Sequence, residues 1–183
     1  MKITLRHIAY EVTPECNLSC CFCYNHWKCP ESAPPKAASY QQSIATLKRL
    51  FGQAEISHIS FTGGEPLTGE RFLELVLFCR LKHKKVSVIS NGNGGSLEDY
   101  ETLLSLGVST FELPFLSANE TIHDQMTGKK GSWKNSLDCM LKLKQEKGKV
   151  IPVIVLTKQN IHTLEETLRY LKNAGFSQIM LNR

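Results

Sequence analysis

The sequence predicts an α/β protein in which six parallel strands alternate with helices, and two observations carry that prediction. Short β-branched or aromatic runs recur between segments of helical apolar spacing, and the polar and glycine-rich stretches fall directly after those runs. The runs lie at about residues 7–13 (HIAYEVT), 56–61 (ISHISF), 86–90 (VSVIS), 108–113 (VSTFEL), 150–156 (VIPVIVL) and 177–181 (SQIML). Between them, Ser39 with Gln42 and Thr163 with Glu166 have the spacing of a capping box, and Ser96 with Asp99 is a looser version. Ile44, Leu47, Leu50 and Phe51 give the first helix its apolar face. Trp133, Leu137, Met140 and Leu141 do so for the fourth, and Leu164, Leu168 and Leu171 for the fifth. Gly107, Gly148 and Gly175 stand where helices should stop. Strand–helix–strand units pair in parallel through right-handed crossovers, so the carboxyl ends of all strands open on one side, where ligand chemistry collects.

Composition bounds the rest. A chain of 183 residues, 42% hydrophobic and 21% charged, is most simply one domain able to bury a sizeable core. The amino terminus lacks an apolar stretch of signal-peptide length, and the segment FLELVLFC is interrupted by Glu74 and too short to span a bilayer, so a soluble, cytoplasmic protein without a membrane partner is expected. The net charge of +5 is spread along helix faces, and the run from Lys82 to Lys85 lies where a helix should end, so no nucleic-acid partner is expected. The chain stops at LNR just past the sixth strand with no helix to cover it. That reads as a core domain, residues 1–183, belonging to a longer protein, or as an edge on which something else packs.

Seven cysteines is an odd number, and four of them stand in the eight-residue stretch CNLSCCFC, residues 16–23. In a reducing compartment such clustering argues for metal binding or redox chemistry over a disulfide framework. Cys16, Cys20 and Cys23 read C-x3-C-x2-C, which lets three thiolates on one loop hold three corners of an iron–sulfur cluster and leaves the fourth iron open for chemistry. The alternative is a four-ligand zinc site from Cys20, Cys23, His26 and Cys29, which leaves Cys16 unexplained. Cys21 and Cys29 are expected to be bystanders of the cluster, and Cys79 and Cys139 ordinary buried helix residues.

With Phe22 supplying the aromatic of C-x3-C-x-aromatic-C, and GGEP at 63–66 after the second strand, the sequence resembles the radical S-adenosylmethionine (radical SAM) superfamily over essentially its whole length. The resemblance implies a partial (β/α)6 barrel and two cofactors, a [4Fe-4S] cluster and S-adenosylmethionine. It also implies an enzyme activity: reductive cleavage of the sulfonium to methionine and a 5′-deoxyadenosyl radical that abstracts a substrate hydrogen. On this reading Gly63 and Gly64 let backbone approach the ligand and Glu65 offers a carboxylate to its ammonium. Phe22 lies near the adenine. Ser90 and Asn91 match the family's polar turn after the third strand, or are simply a turn former. Ser117 faces the ribose or methionyl end, although Leu113-Pro114-Phe115 departs from the polar residue more usual at that strand's end. His123 and Asp124 resemble a His-Asp pair common in this loop, the plain reading being the start of a helix. The stretches YNHWK, SANETIHDQMTG and LTKQNIHTLEE look most like the branch that modifies peptides or proteins and carries a cysteine-rich extension after the barrel. A peptide or protein substrate and a low-potential electron donor are the implied partners; a small-molecule substrate and a non-catalytic metal module are the alternatives.

Overall fold

Each strand pairs in parallel with the next in sequence, giving a six-stranded sheet of order β1-β2-β3-β4-β5-β6 that curls into an open partial barrel. The computed structural model describes residues 3–25 and 35–183, so His26 and Cys29 lie outside the described residues. The strands are β1 (Ile3–Glu11), β2 (Ala54–Thr62), β3 (Lys85–Ile89), β4 (Thr110–Pro114), β5 (Val150–Val155) and β6 (Met180–Asn182). The helices are α1 (Tyr40–Gln53), α2 (Phe72–Leu81), α3 (Leu97–Ser105), α4 (Glu120–Thr127), α5 (Ser132–Gln145) and α6 (Leu164–Asn173). None of these helices is long and apolar enough to cross a membrane.

One face of the sheet is apolar and packs on the helices. Ile59, Phe61, Val88, Phe111, Leu113 and Ile154 meet Leu47, Leu75, Leu103, Met140 and Leu171 in a single buried cluster. Truncating such a side chain to Ala costs about 2–5 kcal/mol through lost transfer energy and the cavity left behind. Cys79 and Cys139 belong to this cluster, and burial pushes both thiols up to about 12, which keeps them protonated and unreactive.

Two of the three capping signals hold. Ser39 and Gln42 form a reciprocal capping box at 3.3 and 2.8 Å, and Ser96 and Asp99 form another at 3.2 and 2.8 Å. Thr163 does not cap α6: its hydroxyl donates to the Asn160 carbonyl at 3.0 Å, and a one-turn 3₁₀ helix, Ile161–Thr163, leads straight into α6. Gly107 and Gly175 take the left-handed turn after α3 and α6, at φ +85° and +81°, but after α5 it is Lys147, at φ +62°, and not Gly148 that does so. Two helices, α4 and α5, stand between β4 and β5. Asp124 of α4 caps α5, its carboxylate accepting from Gly131 N at 2.5 Å, Trp133 N at 2.8 Å and the Ser132 hydroxyl at 3.0 Å. Those donors outweigh desolvation and hold its carboxyl below the usual range.

Candidate functional site

Past Glu11 the first rim loop keeps bonding to the second. Val12 N donates to Thr62 O at 2.9 Å, Gly64 N to Thr13 O at 2.7 Å and Glu65 N to Glu15 O at 2.7 Å. A Cβ on Gly63, whose φ is +143°, would stand 2.5 Å from the Thr13 carbonyl oxygen, and one on Gly64 would overlap the Glu15 carbonyl. Both glycines are therefore required for loop to lie on loop, a reason separate from the approach of a ligand.

The cysteine loop is fastened to the carboxyl end of α4, where helix carbonyls lack intrahelical partners. Ser19 N donates to Thr127 O at 3.0 Å and Cys21 N to Met126 O at 2.9 Å, and Leu18 of the same loop is buried. Cys16, Cys20 and Cys23 are partly exposed and in no disulfide. Cys21 is exposed, and its thiol donates to Gln159 Oε1 at 3.1 Å. Phe22 is half-buried in the turn between Cys20 and Cys23. Among the described residues no three His, Cys, Asp or Glu converge on one point as a single metal ion would require. A four-iron cluster asks something different, one thiolate for each of three separate irons, and three thiols in no disulfide, spaced along one partly exposed loop, suit it.

Glu65 sits where the second and third loops meet. It is 0% exposed, and both carboxylate oxygens are engaged within the protein. Oε1 accepts from the Ser90 hydroxyl at 2.8 Å and Leu67 N at 3.2 Å, and Oε2 accepts from Asn91 N at 2.6 Å. Burial raises its pKa, and these three donors pull the other way. Since the Ser90 proton goes to Glu65, its oxygen accepts from Tyr100 OH at 2.6 Å and Gly92 N at 3.1 Å. Buried beside that carboxylate, the Tyr100 phenol is pushed well above its ordinary pKa.

The β4 to β6 half of the rim is built differently. The Ser117 hydroxyl is buried, accepts from Asn119 N at 3.0 Å and lies 3.0 Å from Thr163 Oγ1. The Thr163 proton is committed to Asn160, so Ser117 donates to Thr163. Asn160 Nδ2 donates to Leu116 O at 2.8 Å and Val155 O at 2.9 Å, tying the ends of β4 and β5 together. His123 Nδ1 accepts from Leu116 N at 3.2 Å, its Nε2 is buried without a partner, and burial lowers the imidazole to about 4.

The concave face of the sheet carries polar groups that sequence reading missed. The His7 and His58 rings stack at 4.5 Å, and their Nε2 atoms bond the Ser60 and Ser87 hydroxyls at 2.8 and 2.7 Å. Burial, then His7 and Lys85, lower the His58 pKa; burial raises that of Glu112, with His7 opposing. Strand register carries this row on to Ile151 and Val153 of β5 and Met180 of β6, so the wall runs from polar to aliphatic. The available signal was period-two polarity on successive strands.

Comparison with known proteins agrees with this architecture. The model of the family described as the radical SAM superfamily matches residues 10–171. The sporulation killing factor maturation protein SkfB of Bacillus subtilis (strain 168) is 31% identical over 165 residues, covering 90% of this chain and 39% of that protein. The antilisterial bacteriocin subtilosin biosynthesis protein AlbA of the same strain is 28% identical over 183 residues, covering 93% of this chain and 38% of that protein. The chain thus spans about two-fifths of the length of these curated relatives. Among solved structures, Streptococcus suis SuiB bound to the precursor peptide SuiA superposes with a TM-score of 0.80 at 16% identity, over 99% of this chain and 39% of that one. At that identity the likeness is one of fold.

Proposed function

For a chain that belongs to the radical SAM superfamily, enzymes that use a [4Fe-4S] cluster and S-adenosylmethionine, we propose a role as the catalytic core of an enzyme that modifies a peptide or protein. The observation that carries the proposal is the cysteine loop seated above β1 and bonded, backbone to backbone, to the GGEP loop above β2. Cys16, Cys20 and Cys23 would hold the cluster. When bound, the cluster and S-adenosylmethionine together supply a one-electron cleavage that yields a radical able to abstract a hydrogen atom from substrate. The protein's part is to grip and orient. Phe22, Gly63, Gly64, Glu65, Ser90, Asn91 and Ser117 are the proposed cofactor contacts. Because the side chains of Glu65, Ser90 and Ser117 are buried and engaged within the protein, their contribution runs through loop position and backbone more than through a free carboxylate or hydroxyl. The concave wall, polar at His7, His58 and Glu112 and aliphatic at Ile151 and Val153, suits a substrate with both characters, as a peptide has. The names of SkfB and AlbA, and the peptide bound to SuiB, support a peptide substrate. A low-potential electron donor is the further partner this chemistry requires.

Anaerobic reconstitution with iron and sulfide, with iron quantified and 5′-deoxyadenosine assayed after dithionite reduction, tests the core of the proposal. Cluster and cleavage retained in Cys21→Ala and lost in Cys20→Ala support it; one bound zinc and no cleavage overturn it. Deuterium transfer from labelled peptides into 5′-deoxyadenosine tests the substrate class, and transfer only from small metabolites would overturn the peptide assignment.

A further inference from the structure

Asn91, at the end of β3, has every polar group committed within the protein. Its backbone N–H goes to Glu65, and its carbonyl accepts from the Ser136 hydroxyl at 3.0 Å and Asn93 Nδ2 at 3.0 Å. Its side-chain Oδ1 accepts from Asn93 N at 2.7 Å. That bond fixes the carboxamide's orientation, because an amide N–H can only donate, and it turns Nδ2 toward the cysteine loop. There Nδ2 donates to Asn17 Oδ1 at 2.8 Å and to Cys16 Sγ at 3.6 Å, one proton for each partner. Asn17 closes the ring by donating to Asn93 O at 2.5 Å. The Cys16 sulfur is therefore held from the third loop by a rigid amide donor, although the two residues are 75 positions apart in sequence.

Resting on the reading that Cys16 is a cluster ligand, we propose that Asn91 is a positioning residue that aims the Cys16 sulfur and raises the reduction potential of the cluster it holds. An N–H donor directed at a ligating thiolate withdraws negative charge from it and so favours the reduced cluster, and donors that orient ligands in this way are a main lever on both metal affinity and potential. This role differs from a direct contact with S-adenosylmethionine, because the donor atom already faces sulfur.

The test compares reconstituted wild type, Asn91→Ala and Asn91→Ser without S-adenosylmethionine present. Iron content, the electron paramagnetic resonance signal of the reduced cluster and an anaerobic potentiometric titration are measured. Asn91→Ser adds no charge, keeps a hydroxyl that can accept from Asn93 N and is too short to reach Cys16 Sγ, so it retains the loop if Asn91→Ala loosens it. The expected result is cluster loading in at least one variant with the midpoint potential shifted negative. At a fixed solution potential the reduced-to-oxidised ratio falls by about threefold or more, which for a one-electron couple is about 28 mV. An unchanged potential in a loaded variant overturns the proposal, and so does failure of both variants to load iron when wild type does. Failure of wild type itself to load, or full loading of Cys16→Ala, would instead strike the underlying cluster assignment.

Discussion

Over β1 to β3 the rim loops meet around a buried acidic side chain: Glu65 gathers donors from Ser90, Leu67 and Asn91, and Asn91 passes the connection on to Cys16. Over β4 to β6 they meet around neutral groups, with Ser117, Asn160 and Thr163 exchanging hydrogen bonds and His123 held uncharged among Phe115 and Leu116. In the first half the sulfur atoms and Asn91 are partly exposed; in the second Phe115, Leu116, Ser117 and His123 are 0–1% exposed. The contrast teaches that one half of the rim keeps accessible polar groups beside a buried acidic side chain, whereas the other half is sealed as a wall.

The contrast is broken most completely at the thiols. Cys16→Ala, Cys20→Ala or Cys23→Ala is expected to reduce bound iron and 5′-deoxyadenosine production to background, while Cys21→Ala leaves both within about twofold of wild type, since its exposed thiol donates to Gln159. Iron analysis after reconstitution checks this pair.

Gly64→Ala forces a Cβ into the Glu15 carbonyl, and Glu65→Gln puts an amide where donors converge. Overpacking costs about 1–3 kcal/mol and a lost bond to a buried charged group about 1.5–3 kcal/mol, so both variants should show lower denaturation midpoints and weaker S-adenosylmethionine binding together. Calorimetry on the same samples separates this outcome from loss of binding alone.

The sealed half should respond to acid. His123 titrates at about 4 in the folded protein against 6.5 in an unfolded chain, so between those values the unfolded chain binds the extra proton. Stability from this residue is therefore fully present above pH 6.5 and is lost as pH falls toward 4, by about 3 kcal/mol in all. Protonating Nδ1 also breaks the bond from Leu116 N. The stability difference between wild type and His123→Gln should narrow by that amount over the interval, as read by denaturant titration at each pH.

Ser117→Ala sharpens the same distinction at smaller scale. Removing a hydroxyl bonded to Asn119 N and Thr163 should cost about 1 kcal/mol of stability with little change in S-adenosylmethionine affinity. A large loss of affinity at unchanged stability would show that the Ser117 hydroxyl itself, and not only its backbone, meets the cofactor.

Much of this arrangement was legible in the chain. Ser39 with Gln42 and Ser96 with Asp99 act over one helical turn, so their spacing alone announced α1 and α3. Thr163 has the same spacing and does not cap, because its proton goes to the Asn160 carbonyl three residues back and its oxygen meets Ser117, brought in by folding. Gly148 looked like a helix stop, yet the left-handed turn falls on Lys147, one residue earlier. GGEP was readable as a loop after a strand, but two of the three donors to the Glu65 carboxylate lie 25 and 26 residues further on, and no local pattern encodes them.

By itself, the sequence determined the order of the strands and of every helix but α4, the parallel pairing and the gathering of thiols, glycines and polar turns on one side, because periodicity and crossover handedness act through neighbours along the chain. Only the tertiary structure decided which polar atoms face each other across that side. Glu65 is an internal brace, Asn91 is aimed at Cys16, and His7 stacks on His58. Such pairings depend on strand register and on which donors are left once backbone and caps are satisfied, quantities fixed by the whole fold and by no single segment of it.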